Sequence, residues 1–189
     1  MTNRLFNFVG GETGSWRVVR MDTIAGAPLE RVSSLEIING QLDSLPAGGE
    51  WVLRGVTSYE RYVIREERDS LTARQPSLCR SEATCAALIP ISKSSSWWEL
   101  AQDERRAIFE TRSEHIKTGL KYLPAIARRL HHCRDLTGEE FDFLTWFEYA
   151  PSDEAVFEQL ARSLRASEEW NYVEREIDIR LVRGETAAT

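Results

Sequence analysis

The chain has 189 residues, enough for one substantial domain or two small ones packed together, and its 42% apolar and 29% charged residues are ordinary for a globular protein. The net charge of −6 excludes a typical nucleic-acid binder, which needs a surplus of Lys and Arg to neutralise phosphates. No apolar run reaches the ~18 residues of a membrane-spanning helix.

Two strands are expected at Leu5–Val9 and Trp16–Ile24, separated by Gly10-Gly11 and Gly14. Gly26–Gly49 is rich in Gly, Ser and Pro and reads as loops with short pieces of structure. Trp51–Val63 alternates as a strand does. Ile64–Arg74 carries charges at helical spacing, and Pro76 ends the pattern. Ala86–Ile91 is a short apolar run that suits a buried strand. Ser96-Trp97-Trp98-Glu99 reads as a capping box opening a helix, which continues with a break to about Leu123, before Pro124. Strands follow at Ala127–Leu136 and Phe141–Tyr149, with a turn at Thr137–Glu140 between them. A helix from Pro151 to about Ala166 buries Val156, Leu160 and Leu164 on one face. Trp170–Arg183 is a long last strand.

From Cys85 to Arg183 the order is β-α-β-β-α-β, a ferredoxin-like unit. Residues 1–84 form a strand-rich half read as a degenerate second copy, residues 85–183 the complete half, and residues 184–189 a tail. The three cysteines, Cys79, Cys85 and Cys133, have no CxxC spacing and offer neither a disulfide framework nor a zinc site. With no basic-then-apolar leader at the N-terminus, the reading is a cytoplasmic protein.

Three histidines exist. His131 and His132 are neighbours on an expected strand, so they point to opposite faces and cannot share one metal; they read as surface or hydrogen-bonded side chains. His115 lies on a helical face with Ile108, Gly119 and Tyr122. Gly119 costs the helix about 1 kcal/mol against alanine and leaves a gap that can admit a flat ring. By itself this pattern fits a core histidine first. It also fits an axial haem ligand, which needs a neutral imidazole with an apolar flank and a carboxylate on its other nitrogen. Glu168-Glu169 supplies candidate carboxylates, and Arg128 on the next strand could reach the opposite side of a bound ring.

Ala86–Pro90, Lys93 with Trp97-Trp98, Gln102–Phe109, His115, Leu120–Arg128, His132–Asp135, Phe141–Tyr149 and Glu168–Leu181 together resemble the short form of the chlorite dismutases; Val9-Gly10-Gly11 and Trp51–Val63 add a thinner N-terminal match. The resemblance implies a ferredoxin-like dimeric α+β barrel binding haem b (iron protoporphyrin IX), a homodimer with no nucleic-acid or membrane partner. It implies His115 as the iron ligand, with Glu168 as its hydrogen-bond partner; the choice of Glu168 over Glu169 rests on alignment. Arg128 would be the distal arginine and Gln75 a glutamine holding it. Lys93 and Tyr62 would meet the haem propionates, and Trp97 would pack near the ring. The implied activity converts chlorite to chloride and dioxygen through ferryl and hypochlorite species, with O–O bond formation. Three other readings stay open: a coprohaem decarboxylase of the same fold, which generally lacks the arginine, a non-catalytic haem carrier or sensor, and a purely structural dimerisation module that would bind no haem.

Overall fold

The computed structural model describes residues 4–57 and 61–184. Strands β1 (Leu5–Gly11), β2 (Trp16–Ala25), β3 (Ser34–Asn39) and β4 (Gly49–Val56) lead to helix α1 (Arg65–Arg74). Strand β5 (Cys85–Lys93) follows, then short helices α2 (Ser95–Glu99) and α3 (Gln102–Arg106), a π-helical turn over Ala107–Arg112, and α4 (His115–Lys121). The chain ends in β6 (Ala127–His132), β7 (Phe143–Tyr149), α5 (Glu154–Arg165), a 3-10 turn over Glu168–Tyr172, and β8 (Val173–Arg183).

The eight strands close into one antiparallel barrel in the order β1-β3-β2-β8-β5-β7-β6-β4. Within it, β8-β5-β7-β6 and β2-β3-β1-β4 are arranged alike: each half places its fourth strand beside its first, and its third between its first and second. The N-terminal half reaches this without a crossover helix. β2 runs on in the direction of β1, and both pair with β3 near the same point, Leu35 facing Gly10 of β1 and Trp16 of β2. The halves are joined unequally. β2 and β8 share a long register from Trp16↔Arg183 to Ala25↔Glu176, whereas among the described residues β4 and β6 meet at Val56↔His132 alone.

Alternation decides the two faces of the sheet. Phe8, Trp16, Leu35, Trp51, Leu53, Ala86, Leu88, Leu144, Trp146, Ile177, Ile179 and Leu181 fill the barrel, three of the six tryptophans among them. The alternate residues of the C-terminal strands, Ala87, Ile89, Ile91 and Phe147, face outward and pack under Phe157, Leu160 and Leu164 of α5. Both faces of β5 are therefore covered, which is why its sequence is almost continuously apolar. α5 begins after a 3-10 turn at Pro151–Asp153, and its apolar stripe explains its position on the sheet.

Several expected elements change. β3 lies inside the segment read as loops. The strand expected over Trp51–Val63 ends at Val56, residues 58–60 lie outside the described residues, and Tyr62 adopts φ 64°. The helix starts at Ser94, not Ser96: the Ser94 hydroxyl accepts from the Trp97 amide. It then breaks into α2, α3, the π turn and α4. β6 stops at His132, although the Cys133 amide still donates to Asp142 O, one position further along the same register. Val173, not Trp170, opens β8. Of the expected tail, only Gly184 lies within the described residues.

His131 and His132 do point to opposite faces, yet both are buried. His131 sits inside the barrel against the rings of Phe6 and Phe8, with Nδ1 3.2 Å from Leu144 O. Burial first, then the nearby Arg129, push its pKa down to about 4 from 6.5, and only the bond to Leu144 opposes this. A depressed histidine pKa means the unfolded chain takes up the proton first. The stabilisation is whole above pH 6.5 and is lost as pH falls toward 4. Between pH 7.5 and 5 the wild type should lose about 2 kcal/mol through His131 alone. His131→Phe should flatten that part of the slope in urea unfolding, whatever its effect on absolute stability.

Candidate functional site

A cavity of about 550 Å³ lies outside the barrel wall, between the outward face of the C-terminal strands and the helices. Its floor follows the sheet register: Arg128, Leu130 and His132 of β6 stand opposite Phe147, Thr145 and Phe143 of β7, and Ile89 and Ile91 of β5 lie beyond. Its roof carries His115 and Ile116 of α4, Phe109 of the π turn and Trp97 of α2.

His115 is the first residue of α4, and the chain around it is unusual. The π turn ends there, Glu114 takes a left-handed conformation (φ 48°), and the Glu110 carboxylate accepts the amides of Ile116 (2.6 Å) and Lys117 (3.2 Å). A carboxylate at the open N-terminus of a helix satisfies orphan amides and suits the local dipole. Residue 115 is thereby fixed in direction without its own side chain being used. The Phe109 ring stacks on the imidazole at 4.3 Å.

The imidazole partner is Glu169, which corrects the assignment of Glu168. Glu169 Oε2 lies 2.7 Å from His115 Nδ1, while Glu168 points toward Arg112, 3.3 Å away. The two glutamates sit in the 3-10 turn, where one position changes the direction of the side chain. The buried one is Glu169. Its amide donates to Ser113 Oγ at 2.9 Å, and its other carboxylate oxygen receives Lys93 Nζ at 2.9 Å. Burial alone would raise the Glu169 pKa. The bonds and charges of His115 and Lys93 outweigh it and hold the carboxyl at about 2.

Lys93 differs from its expected place at a haem propionate. Its ammonium is buried, donates also to Glu169 O, and lies over the rings of Trp97 (4.7 Å) and Trp170 (5.4 Å). A desolvated ammonium is stable there because a carboxylate and two indole faces replace its water. The result is a Lys93–Glu169–His115 relay that leaves Nε2 as the ring nitrogen not engaged by Glu169.

Arg128 is half-buried on the opposite wall, carried by β6. Gln75, at the C-terminal end of α1, donates Nε2 to Arg128 O at 2.6 Å, so it fixes the arginine through its backbone. Tyr62 and Trp97 both line the cavity, with ring centroids 6.3 Å apart. Arg106 clasps this corner: it donates to Tyr62 O and pairs with Glu67 of α1 through both terminal nitrogens. Arg105 donates to Tyr62 Oη at 3.4 Å. These clasps escape a sequence reading because their partners lie 39 to 44 residues apart, while Glu110 is hidden by the π turn, whose period differs from an α-helix.

The structure thus brings His115, Lys93, Trp97, Tyr62, Gln75 and Arg128 to one cavity and leaves Glu168 outside its central pairing. Comparison with known proteins bears on the same residues. The family model described as chlorite dismutase matches residues 48–184. The chain belongs to the chlorite dismutase family. It is similar to the dimeric chlorite dismutase from Nitrobacter winogradskyi, with 55% identity and a TM-score of 0.88 over 94% of this chain and 99% of that one. A chlorite dismutase from Ideonella dechloratans is 33% identical over 87 residues, which span 46% of this chain and 28% of that relative. A mutant chlorite dismutase from Candidatus Nitrospira defluvii, 19% identical with a TM-score of 0.70 over 97% of this chain and 92% of that one, shares the fold. The family match includes the whole of the second half and begins just ahead of β4, so every residue of the cavity corner named above lies within it.

Proposed function

We propose that the protein is a chlorite dismutase that uses haem b to convert chlorite into chloride and dioxygen. The observation that carries the reading is the placement of two unlike groups in one apolar cavity: an imidazole whose Nδ1 is committed to a buried carboxylate, and a guanidinium that reaches from β6 to α4 one turn beyond that imidazole. The residues present fit the cofactor. The cavity is of ligand size, its walls are largely aliphatic and aromatic, and a histidine hydrogen-bonded to carboxylate is a basic, oriented iron ligand.

In this reading His115 Nε2 would hold the iron and Glu169 would keep the proton on Nδ1, with Lys93 fixing the carboxylate. Trp97 would pack near the ring, and Tyr62 would meet a propionate. The haem supplies the redox chemistry of oxygen transfer from chlorite. Arg128 holds the anion. Its charge persists at any working pH and its fork matches an oxyanion, so chlorite and any partly reduced chlorine oxyanion stay against the reacting centre. Low-dielectric walls strengthen that attraction and offset the repulsive net charge of the chain. Both oxygens of chlorite leave as one dioxygen, so no outside electron or proton is required.

The like strand order of the two halves supports a ferredoxin-like repeat, with residues 1–84 the reduced copy. Similarity to a dimeric protein over nearly the whole of both chains supports a homodimer. Free Cys79, Cys85 and Cys133 suit a reducing cytoplasm.

An oxygen electrode tests the function. Haem-loaded protein given chlorite should release dioxygen promptly, one mole per mole of chlorite. Haem binding without dioxygen release would reduce the protein to a haem carrier or a decarboxylase.

A further inference from the structure

The gap that Gly119 leaves beside His115 is filled, and by a flat group. Gly119 lies one turn beyond His115 on α4 and is buried. A Cβ built there would stand 3.0 Å from Arg128 Nη1 and 3.5 Å from both Cζ and Nη2. The guanidinium therefore rests on the bare backbone of α4. Gln75 holds the same arginine from behind, through its carbonyl. The backbone at Gly119 lies outside the left-handed region, so alanine is conformationally admissible and would favour the helix. What glycine offers at this position is space.

We propose that Gly119 is a positioning residue for Arg128: the missing side chain sets where the guanidinium stands, and so how an oxyanion is gripped. The proposal rests on the reading of Arg128 as the anion-holding group. It also means that one short helix governs both sides of the site, since α4 presents His115 at its first residue and the arginine's seat one turn later. A methyl group at 119 would move the guanidinium by several tenths of an ångström without removing its charge.

Four proteins test this: wild type, Gly119→Ala, Arg128→Ala and the double variant. Thermal melting of each before haem loading reads the contact itself. In the Arg128→Ala background, alanine at 119 should raise the melting temperature, as helix propensity dictates. In the wild-type background that gain should shrink or reverse, because the guanidinium must move aside. After haem loading, with an unchanged Soret band, Gly119→Ala should lose about ten-fold in kcat/KM for chlorite, the order of loss that follows a sub-ångström misplacement. The double variant should be no slower than Arg128→Ala alone. Equal thermal gains in both backgrounds, or a Gly119→Ala enzyme as fast as wild type, would overturn the proposal. If wild type itself released no dioxygen, the chlorite reading would fail, while the melting data would still decide whether Gly119 seats the arginine.

Discussion

Arg128→Ala should retain haem and lose roughly 10²–10³-fold in kcat for chlorite, the range seen when one preorganised oxyanion donor is removed. Arg128 belongs to the wall opposite His115, so its loss leaves the Lys93–Glu169–His115 relay intact. The outward residues next along β6 and across on β7, Leu130, Thr145 and Phe147, carry no charge. Lysine should restore only part of the rate, because a point charge lacks the two parallel donors of the fork. The cofactor should also bleach sooner during turnover, since chlorine oxyanions no longer held in place attack whatever they meet. Stopped-flow kinetics with chlorite, together with the decay of the Soret band, measure both effects. An alanine variant with wild-type rate and wild-type cofactor lifetime would remove Arg128 from the mechanism.

Glu169→Leu should destabilise the protein by roughly 3–5 kcal/mol, the usual cost of removing one partner from a buried ion pair. Lys93 and Glu169 have side chains only 4% and 6% exposed, so the lysine charge left behind has no water to turn to. The same change frees His115 Nδ1, loosening the imidazole that the π turn and Glu110 aim, while the amide of residue 169 keeps its bond to Ser113 Oγ. Glu169→Gln separates the two roles. It keeps the shape and can still bond to either neighbour, yet it carries no charge; it should fall between leucine and wild type in urea unfolding. Haem dissociation should quicken in the order wild type, Gln, Leu. If leucine unfolds at the wild-type urea concentration, the buried pair contributes nothing and the relay has been misjudged.

β5 with its nearly continuous apolar run, β7 with its aromatic residues and α5 with its apolar stripe are legible from sequence because burial marks the residues themselves. β3 is not. Its Leu35 and Ile37 do alternate, but six residues among Pro, Gly and Ser carry too little signal, and the strand exists because β1 and β2 both need its edge. The stretch from Ser94 to Lys121 reads as one helix with a break because polar and apolar residues keep nearly the right spacing; the π turn shifts the phase locally, and only hydrogen bonds reveal it. Among the candidate site residues, His115 and Arg128 stood out by type and by the proline between them. The exchange of Glu168 for Glu169 shows the limit: in a 3-10 turn, adjacent carboxylates differ by about a third of a revolution, and sequence alone does not say which of them turns inward. Lys93 misleads for a related reason, since a lysine beside tryptophans looks equally suited to a ligand's carboxylate and to a protein one.

The unequal joints of the barrel bear on its mechanics. One joint, between β2 and β8, is a long ladder with two register shifts. The other, between β4 and β6, is a clasp that among the described residues consists of one pair, Val56 and His132, backed by side chains such as the His131 Cβ near Gly55. Backbone amides at such a clasp should be the first in the wall to exchange with solvent, because freeing them disrupts no ladder. His132 is at once half of the clasp and part of the cavity lining. Opening at this joint would therefore widen the cavity beside His132.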